Sequence, residues 1–520
     1  MSEKLVAALL DQSNWPHPVT DLRCCETHIS WVILAGEYAY KIKKPVRLEF
    51  LDFSTLALRR HWCEEELRLN RRWAPELYLD VVAITGSPAA PRVGGDGEPI
   101  EYAVRMRRFD QSALLSEQLA NGELDAHDMT DLAEMLADRH ARAPANREER
   151  FGGLAAIRKP MAENFVYLEP WLETGELRRF ERWTDDELDR HRAFIDARRR
   201  DGFVRECHGD LHLRNLVRLD DGIVAFDCIE FSDELRMLDV VSDTSFVAMD
   251  LVAEGRGDLA WIFLNRYLER SGDYAGMRLY GLYFVYHCLI RAKVAAIRAS
   301  ERRQDNEREQ DLETMRHYCD VASGWIRESN PALIVMHGLS GSGKTWLSTQ
   351  LLAALGAVRI RSDVERKRLY GLAERASTNS APGKGLYGTE RSRATYQRLL
   401  DIAAGLLAAG QRVILDAAFL DAAERERART LAGSLGVPYA LVAVEAPYKT
   451  MRSRLVARQA AGSDASEGDT DVLDWQAGHA DPVDDALEAP VLHFVSSRDA
   501  DAHRTVAALK KLVSQVPPTA

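Results

Sequence analysis

The chain has 520 residues, 46% hydrophobic and 28% charged, enough length for roughly two to four domains and enough apolar material for sizeable cores. A formal net charge of −12 excludes a bulk basic footprint for nucleic acid and leaves room only for a local groove around a strand end. Seven scattered cysteines with no C-x-x-C pair fit a reduced, cytoplasmic compartment best. The apolar run Leu5 to Leu10 is closed by Asp11 and is too short for a signal-peptide core. The most apolar helical stretch, Leu279 to Ile290, contains His287 and falls well short of the ~20 residues that a membrane span needs.

In chain order, residues 28–34 and 38–42 read as two strands joined by a tight turn at Ala35-Gly36-Glu37. Residues 55–73 follow with helical periodicity. Strand patterns return at 77–84 and 101–109, separated by a Gly- and Pro-rich loop at 86–99. A small β-rich lobe with one inserted helix is therefore expected for 20–110. From about 111 to 200 the pattern is helical, with amphipathic segments at 131–140 and 185–200. A polar loop at 208–215 leads into a hairpin, 216–219 and 223–227, turning at Asp220-Asp221-Gly222. Long helices are predicted at 235–253 and 276–300, and the charged stretch 301–311 reads as a solvated helix or hinge.

The domain boundary is expected near 328–331, giving domains 1–328 and 331–520. Beyond it, strands at 332–337, 357–361, 412–416, 439–445 and 491–496 alternate with helices near 344–355, 389–409, 422–434 and 448–460. Such alternation implies a parallel sheet covered on both faces. Residues 463–489, rich in carboxylates and without Lys or Arg, read as a mobile solvated segment at the edge of a nucleotide site. The chain shows no internal repeat.

Two stretches carry chemistry. Gly338-Leu339-Ser340-Gly341-Ser342-Gly343-Lys344-Thr345 fits G-x-x-x-x-G-K-[ST], a loop whose backbone N–H groups turn inward onto phosphate oxygens. It lies between a predicted strand and a predicted helix, so loop geometry and helix dipole favour the same anion. Gly338, Ser340, Gly341, Ser342 and Gly343 form the expected cradle. Lys344 should reach the β- and γ-phosphates, and the Thr345 hydroxyl should hold Mg²⁺. Asp416 ends an apolar strand and is the expected second metal-side carboxylate. Asp363 is placed to activate an acceptor hydroxyl, with Arg366 one helical turn on to hold the acceptor. Arg454 and Arg458, four apart on one helix, are placed to neutralise the transferred phosphoryl group.

The other stretch is His208-Gly209-Asp210 with Asn215, the spacing H-x-D-x-x-x-x-N. Asp210 would orient an attacking hydroxyl, and Asn215 and Asp227 would hold Mg²⁺. Lys41 would hold the α- and β-phosphates. Glu66, or failing that Glu65, would fix Lys41. Lys43 and Lys44 adjoin Lys41, and Gly36 is the lone glycine of the preceding turn, so no glycine-rich loop covers the phosphates.

Residues 208–215 and Ala225-Phe226-Asp227-Cys228-Ile229-Glu230 resemble the catalytic loop and metal-binding strand end of the aminoglycoside phosphotransferase family. The resemblance spans about 25–300 and implies a protein-kinase-like bilobal domain, with Asp239 and Asp243 structural and His208 bracing the loop. The second half is similar to small P-loop kinases, including the polynucleotide kinase, gluconate kinase and zeta-toxin groups. Together the halves resemble bifunctional aminoglycoside phosphotransferase/ATP-binding proteins. The resemblance implies α/β and α+β architecture, ATP and Mg²⁺ as cofactors, and transfer to a hydroxyl on a sugar-like small molecule or a 5′-hydroxyl nucleic-acid end. The resistance chemistry of the first family does not carry over, because one fold serves many acceptors. Two other readings compete: an N-terminal half that only binds and regulates, and a P-loop ATPase that gates a partner.

Overall fold

The computed structural model describes every residue except 1, 20, 49–50, 303, 328–329, 375, 377–383, 462–465, 467, 497–498 and 514–520. The chain divides into two compact units, Met1–Glu163 with Asp185–Asp250, and Asn164–Thr184 with Leu251–Ala520. The sequence boundary at 328–331 falls inside the second unit, and its first two positions lie outside the described residues.

The first unit opens with β1 (Leu22–Glu26), β2 (Ser30–Ala35) and β3 (Tyr38–Lys43), then α1 (Leu56–Asn70), β4 (Tyr78–Ser87), β5 (Ala90–Val93) and β6 (Glu101–Arg107). The strands form one antiparallel sheet in the order β1-β2-β3-β6-β4-β5. Side chains alternate across a strand, so one face of β2 and β3 sends Trp31, Ile33, Tyr40 and Ile42 into a core with Leu9 and Trp15. The other face carries Lys41 and Lys43. Cys63 of α1 packs there with Tyr78 and Val104. Thr55 caps α1, its Oγ1 accepting from Leu58 N at 3.2 Å. The sequence gives no sign of β1, which is exposed along most of its length, or of β5, where Pro91 sits on an edge strand that tolerates it.

The rest of the unit is built on α2 (Ala126–Arg142), which Asp125 and Asp128 start as a reciprocal capping box. The expected hairpin forms as β7 (Leu216–Leu219) and β8 (Gly222–Ala225). The helix expected over 235–253 is broken. Residues Met237–Asp239 pair as a strand with Val204–Glu206, and α3 (Val240–Ala253) starts after them. Asp239 decides the break: its carboxylate accepts from Val241 N at 3.0 Å and from Arg198 at 2.6 and 2.8 Å.

In the second unit α4 (Gly257–Ser271), α5 (Met277–Glu301) and α6 (Asp305–Arg327) precede the P-loop sheet. That part runs β9 (Ala332–His337), α7 (Lys344–Leu355), β10 (Ala357–Arg361), α8 (Ser362–Leu369), α9 (Thr389–Ala408), β11 (Arg412–Asp416), α10 (Ala422–Ser434), β12 (Tyr439–Glu445), α11 (Tyr448–Ala461), α12 (Thr470–His479), β13 (Val491–Val495) and α13 (Asp499–Val513). All strand pairs are parallel, in the order β10-β11-β9-β12-β13. Ile334, Met336, Leu347, Leu351, Val442 and Phe494 fill the core on one side. Among the described residues no helix is long and apolar enough to cross a membrane.

One expectation fails here. Residues 463–489 are not a purely solvated segment: they contain α12, capped by Asp469 on Val472 N at 2.8 Å and anchored by the fully buried Leu473 beside Met451 and Leu455. Asp471 and Asp474 lie on the exposed side of this short helix. Residues 463–465 and 467 lie outside the described residues.

Candidate active sites

The first site gathers around Lys41. Its Nζ lies 2.9 Å from Glu66 Oε1 and is paired with Asp227. Glu66 gives its second oxygen to Lys43 Nζ at 2.7 Å, and Lys43 also pairs with Glu230. Burial alone would lower Lys41, but Asp227 and Glu66 outweigh it and keep the amine protonated well above the ordinary lysine range. Burial likewise opposes the charge on Glu66, and the two lysines overcome it and hold the carboxyl low. Glu230 is shifted the other way, raised first by burial and then by Glu66 across Lys43, which it shares with that carboxylate. Asp227 has φ 63°, a left-handed backbone at a non-glycine residue. Its N–H donates to Tyr78 Oη at 3.1 Å, and the next N–H, of Cys228, donates to Asn70 Oδ1 at 2.9 Å. A strained backbone held by two such bonds fixes where the carboxylate sits.

The 208–215 loop is braced from below. Asp243 accepts from His208 N at 2.7 Å and Gly209 N at 2.9 Å, and His140 Nε2 lies 3.3 Å from it. Gly209 has φ 86°, and a Cβ there would meet Leu235 O at 2.6 Å. His208 Nε2 lies 2.9 Å from Phe226 O, which ties the loop to the hairpin end before Asp227. Burial lowers the His208 pKa and keeps the ring neutral. Asp210 and Asn215 meet: Asn215 Nδ2 donates to Asp210 O at 2.9 Å and Oδ2 at 3.1 Å, which fixes which end of the amide is the oxygen. Asp210, Asn215 and Asp227 therefore sit on one loop–hairpin unit, with Lys41 and Glu66 joined to it through Asp227.

The second site is a cleft of about 1390 Å³ lined by Gly341, Gly343, Lys344, Thr345, Asp363 and Asp416, and also by Ser340, Arg366, Arg454 and Arg458. Gly338 takes φ 141°, and a Cβ there would meet Val444 O at 2.3 Å, so only glycine lets the loop leave β9. Lys344 Nζ donates to Gly338 O at 2.8 Å and Leu339 O at 2.9 Å. Burial lowers its pKa to about 8, more than Asp416 and Asp363 can restore. Ser342 Oγ is buried with no hydrogen-bond partner among the described residues. A lysine turned onto loop carbonyls and an orphaned hydroxyl suit a cradle made for phosphate oxygens. Thr345 at the start of α7 and Asp416 at the end of β11 are oxygen donors of the kind Mg²⁺ takes.

The expected acceptor and charge-neutralising residues line this cleft too, each with a protein partner. Arg366 Nη1 donates to Asp363 Oδ1 at 2.8 Å, and its guanidinium lies 4.6 Å over the Tyr387 ring. Its Nε is buried with no hydrogen-bond partner among the described residues. Arg454 donates to Ser342 O at 3.2 Å and Ser496 Oγ at 2.7 Å, and Arg458 to Gly468 O. Gln476 of α12 was not anticipated; its Oε1 accepts from Ser340 N at 2.8 Å, inside the cradle. Lys43 was also missed as a partner of Glu66, and Glu230 as a partner of Lys43. The signal for Lys43 was present, since a residue two along a strand from Lys41 faces the same way.

Comparison with known proteins follows this division. The Phosphotransferase enzyme family matches residues 61–280, and an AAA domain family matches 333–483. The uncharacterized proteins Rv2004c of Mycobacterium tuberculosis and Mb2027c of Mycobacterium bovis are each 33% identical over 476 residues, covering 89% of this chain and 93% of theirs. Among solved structures, a choline kinase from Cryptosporidium parvum is 11% identical with TM-score 0.40, covering 63% of this chain and 96% of its own. A gluconokinase from Sinorhizobium meliloti is 18% identical with TM-score 0.26, covering 36% and 96%.

Proposed function

Because this chain belongs to the family of those mycobacterial proteins, a kinase-like phosphotransferase domain fused to a P-loop kinase domain, we propose that it is a two-site, ATP-dependent phosphotransferase acting on hydroxyl acceptors. The observation that carries the reading is the P-loop cleft, where a phosphate-shaped cradle and a candidate base, Asp363, line one cavity.

Bound ATP with Mg²⁺ would supply a transferable phosphoryl group with part of its charge screened. In the P-loop site the loop N–H groups and Lys344 bind phosphate oxygens, and Thr345 and Asp416 hold the metal. Asp363 orients the acceptor hydroxyl and takes its proton. Arg366 holds the acceptor, while Arg454 and Arg458 offset charge that develops in transfer. In the first site Lys41, fixed by Glu66, binds phosphate oxygens, Asn215 and Asp227 hold the metal, and Asp210 orients the hydroxyl. The acceptor of the first half is a sugar or amino sugar. That of the second is a small hydroxylated metabolite or a 5′-hydroxyl end. Seven free cysteines support work in a reduced, cytoplasmic compartment.

The test is transfer of label from γ-labelled ATP into pooled sugars, aminoglycosides, nucleosides and 5′-hydroxyl oligonucleotides, by wild type, Asp210→Asn and Lys344→Ala. Loss of a different product in each variant is expected. Loss of all transfer in Lys344→Ala with none in Asp210→Asn reduces the first half to a binding module. Label released only as free phosphate overturns the kinase reading in favour of a gating ATPase.

A further inference from the structure

The edge of the P-loop sheet is closed by a helix that belongs, in sequence, to the stretch matched by the phosphotransferase family. β10 is one of the two edge strands of that sheet. Asn265 of α4 pairs with its backbone as a neighbouring strand would, donating to Ala357 O at 2.9 Å and accepting from Arg359 N at 2.6 Å. One turn on, Glu269, 2% exposed, takes both Nε and Nη2 of Arg359 at 3.0 and 2.8 Å.

Arg359 passes the contact inward. Its Nη1 donates to Thr349 Oγ1 at 2.7 Å and to Ser348 Oγ at 3.2 Å. The Ser348 hydroxyl, fully buried, lies 3.0 Å from Asp416 Oδ2 and 3.0 Å from Thr345 O. With Arg359 on its lone pair, its single proton is best given to the carboxylate, the charged acceptor. A buried line of hydrogen bonds thus runs Glu269–Arg359–Ser348–Asp416. It ties down one carboxylate oxygen of Asp416, on a residue that lines the nucleotide cleft. Without Glu269, Arg359 would be a buried charge short of its partner and free to take the Asp416 carboxylate for itself.

We propose that Glu269 is a positioning residue of the P-loop site, acting through Arg359 and Ser348 on Asp416, so that the site is complete only with α4 in place. The inference rests on the nucleotide reading of that site. Groups that hold metal ligands in place commonly set metal affinity by about ten- to a hundredfold.

The test uses the full chain, a fluorescent ATP analogue and titrations with Mg²⁺ and with EDTA, on wild type, Glu269→Gln, Ser348→Ala and the double variant. Binding is read in a Lys41→Met background so that the P-loop site dominates. The tightening by Mg²⁺ is expected to shrink about tenfold in each single variant while affinity in EDTA stays at the wild-type level. The double variant should lose no more than either single, because both cut one line. Ser348→Ala removes a single oxygen, so it carries the test if Glu269→Gln fails to fold. Tightening that survives Ser348→Ala, losses that multiply in the double variant, or equal losses in EDTA would each overturn the relay alone. Wild type that gains nothing from Mg²⁺ overturns the nucleotide reading, and this inference with it.

Discussion

The Glu66 carboxylate lies 2.7 Å from the Lys43 amine, and both side chains are fully buried. Lys43 therefore stands between two carboxylates, Glu66 and Glu230, that would otherwise face each other without water. Lys43→Met should cost about 3–5 kcal/mol, since it leaves charge buried and unpaired. Urea unfolding of the variant measures this. Glu66 keeps Lys41 at 2.9 Å, so Glu230 is the carboxylate left stranded, and adding Glu230→Gln should return part of the loss. A single variant within 1 kcal/mol of wild type would show that the lysine is not the counter-charge assigned here.

Asp243 receives two consecutive loop N–H groups and a histidine. An asparagine can offer only one oxygen to the two N–H donors. Asp243→Asn should therefore lower stability by about 1–3 kcal/mol. It should also slow the Asp210-dependent product while leaving the Lys344-dependent one alone. Thermal melts and the label assay read the two effects separately. Burial opposes the Asp243 charge, but His140 and His208 hold its pKa below the usual carboxylate value. Its contribution to stability is thus present above the unfolded carboxylate pKa and is lost as pH falls through the lower folded one.

The two lysines of the two sites should behave oppositely toward protons. Lys344 is pushed down to about 8 from an ordinary value of 10.5. Between those values the unfolded chain holds the proton and the folded chain does not, so this group makes stability rise with pH across that window. Phosphate favours the charged amine. At pH 8.5 nucleotide binding to the P-loop should take up roughly 0.7 of a proton. Lys41, raised instead, should take up none. Calorimetry in buffers of different ionisation enthalpy measures this, and uptake that persists in Lys344→Ala would exclude Lys344 as its source.

Gln476 occupies Ser340 N, a donor inside the phosphate cradle. A nucleotide using that donor must first displace the amide. Gln476→Ala should then tighten nucleotide binding about two- to tenfold, the worth of one ordinary hydrogen bond. Fluorescence titration decides it. Weaker binding in the variant would mean that Gln476 touches the nucleotide itself.

The strands of the P-loop half were legible almost residue by residue, because a buried parallel strand is a short apolar run, as in Ala332–His337 and Tyr439–Glu445, and punctuation around it is strong; the helices Thr470–His479 and Asp499–Val513 were not. That Asp210 and Asn215 would meet, with Asp227 at the end of the adjoining hairpin, was legible because their spacing along one loop and hairpin is local. Lys43 against Glu230 and Glu269 against Arg359 were not, since those pairs are made by residues far apart in sequence, and nothing local marks one buried charge as the partner of another. The broken helix at 237–239 failed for a related reason. Helical periodicity at 235–253 is real, but strand pairing with 204–206 and the Asp239 cap outcompete it.

The docking of α4 on β10 also bears on how such a two-part chain can be taken apart. Asn265 and Trp261, packed at the sheet edge and the Gly356 turn, do for β10 what a further strand would do. A break just before residue 331 would strip that cover and leave an open row of amides and carbonyls, a template for strand addition by a second molecule. Aggregation, not simple loss of activity, is the expected fate of a half cut there, whereas a gene that separated the chain upstream of residue 251 would leave the edge sealed.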